Sequence, residues 1–328
     1  MPRPARSLGE FELIDALVAA LPTRGRGVRL GPGDDAALLR PRRGQDLVAT
    51  VDAVVEGIHF DHRFTPGDVG WKALAVNLSD LAAMGARPLW ALLALGVPPA
   101  TPSARLLAIA RGLGRCARQH GLAVVGGNVS RATELSLTVT VLGEVPRGQA
   151  LRRDGARAGD LVLVSGTLGD AALGLEPGAA AALRRRQRRP TPRLGLGLGL
   201  RRLASAAVDL SDGLAQDLGH LCRASGVGAV LQAAWLPRSA AARAACAGLP
   251  DPWGPALRGG EDYELCVTVP PARLAAARRA AARAGVPLTV VGEVTAAPGV
   301  RVLGPDGRPR PVGPGHDHLA GRGTRSPR

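Results

Sequence analysis

Lysine is nearly absent from this chain: Lys72 is the only one, so arginine supplies all but one of the 42 basic residues. Against 27 acidic residues this leaves a formal net charge of +15, which raises the question of a nucleic-acid partner. Aromatic residues are scarce too, at 2%, which removes the stacking platforms that single-stranded nucleic acid uses. The arginine excess, set among abundant alanine and glycine, reads as compositional bias on the surface, and no nucleic-acid partner is expected. The four cysteines, Cys116, Cys222, Cys246 and Cys266, are widely spaced with no CxxC pair, which argues against a zinc site or a disulfide framework and leaves buried thiols. No apolar run reaches the ~20 residues of a membrane helix, and MPRPARSLGE lacks the apolar stretch of a signal peptide. A cytoplasmic protein with no membrane partner is expected.

What is present points to a folded chain: 328 residues, 46% apolar and 21% charged, enough for two domains with a core each. A first helix is expected where Ser7 and Glu10 stand at capping-box spacing, with Phe11, Ile14, Leu17 and Leu21 on its buried face. A second starts near Asp68 and buries Trp71, Leu74, Leu78 and Leu81, and a third runs from Ser103 to Gly121. Strands are expected at DLVATVDAVV, LWALLALGV, LAVVGG and LSLTVTVLGEV. At VPRGQALRRDGARAGD, Val145 to Asp160, the pattern breaks into proline, glycine and charge, placing a boundary between domains at 1–147 and 148–328. The second half continues with a strand at LVLVSG, an Arg-rich insert, LRRRQRRPTPR, read as a solvated loop, AVDLSDGL leading into a helix, a strand at YELCVTV, a helix from Pro271 to Ala284, and LTVVGEV. LGLGLGL, Leu194 to Leu200, is low-complexity alternation without the lysine of a P-loop. The tail from Gly321 is basic and expected to be frayed. The alternation is too irregular for a doubly wound sheet, so the fold class is α+β, with two mixed α/β-sheet domains.

Carboxylates stand beside glycine or serine at five places: GPGDDAAL from Gly31, TVDAVVEGIHF from Thr50, NLSDLAAMGA from Asn77, DLSDGL from Asp209 and GGEDYEL from Gly259. Any one alone is ordinary turn or cap chemistry. Together they are oxygen ligands set on rigid ends of elements. Thr50 and Asp52, two apart on a strand, share a face, as do Asp209 and Ser211; Asn77 and Asp80, three apart on a helix, do the same. If several converge, each pair at ~4 Å costs ~4 kcal/mol at an effective dielectric of ~20, so a cation must offset it. Oxygen donors without histidine or cysteine favour Mg²⁺, which shares its sphere with water and substrate phosphates. With no Walker motif, GxGxxG or kinase catalytic loop in the chain, this suggests phosphate chemistry on another architecture.

At these corners the sequence resembles the thiamine-monophosphate kinases of the aminoimidazole-ribonucleotide-synthetase-like superfamily. The motifs GPGDDAAL, GIHF, KALAVNLSDLAAMGA, DLSDGL and GGEDYELC carry the likeness, which runs from Gly9 to Leu319. The resemblance implies ATP-dependent phosphorylation of thiamine monophosphate to thiamine diphosphate, with several Mg²⁺ ions, in a homodimer whose N-terminal domains pair through their sheets. It implies a metal-ligand set of Asp35, Thr50, Asp52, Asp80, Asn128, Asp209 and Asp212. It places ATP at Gly127, Asn128, Arg153 and Ser211, and the thiamine substrate at His59 and Glu261, with Leu319 where the family often has an aromatic residue. Asp34 and Asp262, beside matched residues, are given supporting roles.

No general base is expected, since a phosphate monoester with a second pKa of ~6 is already ionised at neutral pH. Asn128 is the departure, because many family members have Asp in GGD; its amide can still ligate Mg²⁺ but adds no charge. Selenophosphate synthetase is disfavoured because no cysteine precedes Cys116, and the hydrogenase-maturation relative by a tail reading TRSPR. Aminoimidazole ribonucleotide synthetase, or a weakened or non-catalytic nucleotide-binding paralogue, is the alternative.

Overall fold

The computed structural model describes residues 9–311, and these form two compact units. The first runs to Ala150 and takes in Arg188–Leu198 as well; the second is Leu151–Gln187 with the chain from Gly199 onward. His316, His318, Leu319 and the basic tail lie outside the described residues, as does Ser7.

In order, the first unit holds α1 (Glu10–Ala20), β1 (Val28–Leu30), β2 (Leu38–Leu39), β3 (Gln45–Val55), α2 (Pro66–Ala83), β4 (Arg87–Val97), α3 (Ser103–His120), β5 (Ala123–Arg131) and β6 (Ser136–Pro146). Four strands make a sheet of order β3-β6-β4-β5, antiparallel except for β4 and β5. Helix α2 begins where Thr65 and Asp68 cap each other, the Thr65 hydroxyl accepting from the Asp68 N–H at 3.2 Å, with Pro66 at its first turn. Its Leu74, Leu78 and Leu81 are fully buried, and α3 packs against it. Glycines let the two helices approach: a Cβ on Gly70 would lie 1.9 Å from the Ile109 carbonyl oxygen, and one on Gly112 would lie 2.2 Å from that of Gly67. A sequence with so few aromatic residues fills space by bringing backbones together.

The first helix differs from expectation. Its N-cap is Gly9, whose N–H is accepted by Glu12 at 3.0 Å, and its buried residues are Leu13 and Leu17, while Phe11 is 80% exposed. The helix is in register for an i, i+4 pair, not for the wider stripe.

The second unit holds β7 (Leu161–Ser165), α4 (Asp170–Leu173), α5 (Ala181–Arg188), α6 (Leu194–Leu200), β8 (Ala206–Asp209), α7 (Leu214–Ser225), β9 (Gly228–Gln232), α8 (Ala240–Ala245), α9 (Gly254–Arg258), β10 (Leu265–Val269), α10 (Leu274–Arg283), β11 (Leu288–Thr295), β12 (Gly299–Leu303) and β13 (Pro309–Arg310). Of these, Arg188 at the end of α5 and Leu194–Leu198, most of α6, belong to the stretch that returns to the first unit. Seven strands form one mixed sheet, β13-β12-β9-β11-β7-β10-β8, in which only β12 and β9 run parallel. Its core gathers Val162, Val208, Leu218, Leu221, Leu231 and Val294. The class is therefore α+β, with two mixed-sheet domains. All four cysteines are buried free thiols.

The Arg-rich insert is not wholly the solvated loop expected from its charge, since it is helical in α5 as far as Arg188, and LGLGLGL forms α6. Leu183 and Gln187, an i, i+4 pair, are each 2% exposed on α5. In the first unit Arg189 pairs with Asp68, and the Trp71 indole N–H donates to the Pro190 carbonyl at 3.0 Å. Gly197 fits against the Ala82 carbonyl, which a Cβ would approach to 2.0 Å.

Replacing Gly70 with alanine should destabilise the protein by about 1–3 kcal/mol in urea unfolding, the usual range for an overpacked core. Gly219→Ala, whose methyl would meet only Arg223 Nη1 at 3.5 Å, should not lower stability.

Candidate functional site

In the first unit the geometry starts from β3. Thr50 and Asp52 share the face that α2 covers, and the Thr50 hydroxyl donates to Asp80 Oδ2 on α2 at 2.6 Å. Asp80 is half-buried and Asp52 exposed. One helical turn before Asp80, the fully buried Asn77 gives its amide to the Ala73 carbonyl at 3.0 Å and leaves Oδ1 without a hydrogen-bond partner. Asp35 is exposed in the turn before β2, its N–H donating to Asp34 Oδ1 at 2.8 Å, so Asp34 shapes the turn that presents its neighbour.

Gly127 tolerates no side chain, because a Cβ would lie 2.0 Å from the Leu93 carbonyl oxygen. Asn128 is placed differently from the acids. The strand register sets it beside Ala94 and, across the sheet, in the row of Thr138 and Ala53. That row lies on the exposed face, so one chain does not bring Asn128 together with Thr50 and Asp52. His59 follows β3 in a tight turn. Its Nδ1 accepts from the Val55 N–H at 3.1 Å, which leaves the ring proton of the neutral form on Nε2. The backbone there is held by Lys72, 1% exposed, whose ammonium donates to the His59 carbonyl at 2.9 Å.

In the second unit Asp209 ends β8, 5% exposed, and Ser211 and Asp212 follow in a turn closed by Gly213 at φ 111°. The N–H groups of Asp212 and Gly213 both donate to the Asp217 carboxylate, at 3.0 and 3.1 Å. Burial pushes the Asp217 carboxyl up to about 7 against those two donors, and the Asp212 charge adds to the rise. Asp212, Asp217 and His220 offer ligand atoms all within 4.8 Å of one another. Asp217 and His220 escaped the sequence reading, although three-residue spacing at the start of a helix after DLSDG was the signal available. Burial lowers the His220 pKa, helped by Arg223 and Arg153. Arg153 itself is exposed, its carbonyl accepting from the Ser225 hydroxyl at 2.6 Å.

The turn from Gly259 to Glu264 brings Glu261 to Ser211: the Glu261 N–H donates to the Ser211 carbonyl and the Tyr263 N–H to that of Leu210, each at 2.8 Å. Glu261 and Tyr263 hold left-handed backbone, φ 69° and 50°, a conformation that side chains disfavour. Asp262 between them is buried and accepts from the N–H groups of Gly169 and Ala171 at 2.7 and 3.2 Å. Burial raises its carboxyl to about 7, opposed by those donors and by Arg186, with Glu264 adding to the rise. Arg186 donates to Glu264 at 2.6 Å; burial works against its charge, but Glu264, Asp262 and Asp170 outweigh this and hold its pKa above the ordinary value.

A family model described as AIR synthase related protein, N-terminal domain, matches residues 33–145, and the corresponding C-terminal domain model matches residues 157–304. Over 324 residues the chain is 42% identical to the thiamine-monophosphate kinase of Escherichia coli (strain K12), covering 95% of this chain and 98% of that one. The crystal structure of thiamine-monophosphate kinase from Stenotrophomonas maltophilia K279a is similar at a TM-score of 0.81 and 47% identity, covering 92% of this chain and 98% of that one. AaThiL complexed with AMPPCP and TMP is similar at a TM-score of 0.75 and 34% identity, covering 96% and 99%.

Asp262 gives a test by pH. Its folded pKa is raised from 3.8 to about 7, so its contribution to stability is full below the unfolded value and is lost as pH rises through about 7. The Tm of the protein minus that of Asp262→Asn should therefore be largest at about pH 4, shrink steadily as pH rises, and level off above about pH 7.

Proposed function

We infer, because the chain belongs to the AIR synthase related family and within it to the thiamine-monophosphate kinases, that it transfers the γ-phosphoryl group of ATP to thiamine monophosphate, giving thiamine diphosphate. The geometric observation that carries the reading is the backbone bond from Glu261 to Ser211, since it fixes the residue assigned to the thiamine substrate beside one assigned to ATP.

The donor chemistry fits Mg²⁺: Thr50, Asp80 and the exposed Asp35 and Asp52 are hard oxygens, and the unpartnered Oδ1 of buried Asn77 lies one turn from Asp80. Asp35, Thr50, Asp52 and Asp80 would hold metal in the first unit, and Asp209 and Asp212 in the second. Bound Mg²⁺ supplies positive charge that offsets the crowding of phosphate oxygens. A phosphate oxygen of thiamine monophosphate, ionised at neutral pH, forms a bond to the γ-phosphorus as the bond to the ADP oxygen breaks in line. No side chain has to take a proton, so the protein's work is alignment. Gly127 lets backbone approach the nucleotide; Asn128, Arg153 and Ser211 contact it. The His59 Nε2–H is a donor for the thiamine substrate, and the Glu261 carboxylate complements its cationic thiazolium.

The first unit is also the surface for a homodimer. On the sheet face that carries Asn128, Leu47 is 52%, Val51 57% and Leu92 36% exposed. Apolar strand residues in such a row are what a second sheet would cover. Among the described residues no helix is long and apolar enough to cross a membrane, and we place the enzyme in the cytoplasm, where ATP is supplied.

Purified protein given ATP, thiamine monophosphate and a Mg²⁺ series should form thiamine diphosphate, stop on chelation, and lose at least about 100-fold of its rate in Asp80→Ala. No product at any Mg²⁺ concentration with nucleotide binding intact would favour the non-catalytic alternative. Val51→Asp should shift the protein from dimer to monomer in light scattering; a wild type that is already monomeric would remove the dimer.

A further inference from the structure

The buried stripe of α5 is unusual for a helix so rich in arginine. Leu183 and Gln187 are each 2% exposed, and Arg186, which shares their side at i+3, keeps 21% of its side chain accessible. The neighbouring Arg185 faces solvent. Two of the three inward residues are therefore polar, and buried polar groups need partners.

Their partners lie in the GGEDYEL turn. The Arg186 Nη2 donates to Glu264 Oε1 at 2.6 Å and reaches the Asp262 carbonyl at 3.4 Å, while its Nε lies 3.9 Å from Asp170. Glu264 is anchored on its other oxygen by the Ser165 hydroxyl at 2.5 Å. The Gln187 amide donates to Glu261 Oε2 at 3.4 Å, a long bond of the kind that tightens when a ligand arrives. Consecutive residues of one helix thus hold both the backbone and the carboxylate of a turn whose Glu261 and Tyr263 stand in left-handed conformations. Such a turn persists only where its surroundings determine it.

We propose that Arg186 and Gln187 are positioning residues that fix the Glu261 carboxylate for the thiamine substrate: Arg186 locks the turn and Gln187 orients the side chain. This rests on the assignment of Glu261 to that substrate. It gives the Arg-rich insert a role inside the second unit, and it explains why a glutamine interrupts the run of arginines.

The test is calorimetric binding of thiamine monophosphate and, separately, of an unhydrolysable ATP analogue to Gln187→Met, Arg186→Met, Glu261→Gln and the double variant Gln187→Met/Glu261→Gln. Gln187→Met should weaken thiamine monophosphate at least about 5-fold with nucleotide affinity within about 2-fold, and the effect should vanish in the Glu261→Gln background, as coupled partners require. Arg186→Lys should recover part of the loss in Arg186→Met, since the charge returns without the fork. If Glu261→Gln weakens binding but Gln187→Met does not, or if the two losses simply add, the positioning role is overturned while the assignment of Glu261 stands. If Glu261→Gln leaves thiamine monophosphate affinity unchanged, the assignment fails and the inference falls with it.

Discussion

Carboxylates held close together need a cation, a hydrogen-bond donor or a proton, and this constraint organises both units. In the second unit Asp170, Asp262 and Glu264 are all at most 3% exposed, and Arg186 sits against them as the offsetting charge. Asp217, without such a neighbour at hydrogen-bond distance, takes two backbone N–H groups and still has its pKa pushed up by burial. In the first unit Asp80 takes a hydroxyl from Thr50. The acids divide accordingly. Asp217, Asp262 and Glu264, answered by backbone N–H groups or by Arg186, shape turns, and Asp80, answered by the Thr50 hydroxyl, is suited to a metal.

The scarcity of aromatic residues sets how the scaffold carries these acids. Without large rings to fill gaps, helices and strands meet through glycine and alanine at backbone distance, as at Gly70 with Ile109 and Gly127 with Leu93. Close backbones leave little freedom to shift, so a carboxylate at the end of β3 or β8 is held by the sheet itself. Rigid placement is what a reaction without a general base requires, since alignment supplies most of the rate. The single lysine belongs to the same design: its compact ammonium fits a buried place beside the His59 carbonyl, where the broader guanidinium used everywhere else would need more room.

Much of this was legible from the chain. The stripe of Leu74, Leu78 and Leu81, the stop at Gly121 and the strands around Thr50 and Leu137 follow from periodicity and turn chemistry, and the structure has them. LGLGLGL was not legible. Its alternation has the period of a strand, yet it folds as a helix because Gly197 and Gly199 pack at close range, against Ala82 in the first unit and Ala280 in the second. Charge alone makes the insert before it a solvated loop, whereas the helix signal is the i, i+3, i+4 set of Leu183, Arg186 and Gln187. Phe11 misled for the opposite reason: hydrophobicity suggested burial, and the helix phase exposes it.

Asn128 marks the limit of reading by motif. Quoted beside GG, it looks like one more member of the acid set; counted along the strand, it falls in the row of Ala94, Thr138 and Ala53 and faces away from Thr50 and Asp52. Strand alternation puts neighbours on opposite sides, so Gly127 and Asn128, adjacent in sequence, serve different faces. Gly127 is where backbone must come close, and Asn128 is where an amide stands on a face that also carries Val51, Ala53 and Ala94 and the hydroxyls of Thr138 and Thr140. An uncharged amide is the cheaper group to place there if a second sheet is to cover that face, because a carboxylate would have to be desolvated without a partner. The lost charge is then a feature of the surface on which the residue stands as much as of the metal it was expected to bind.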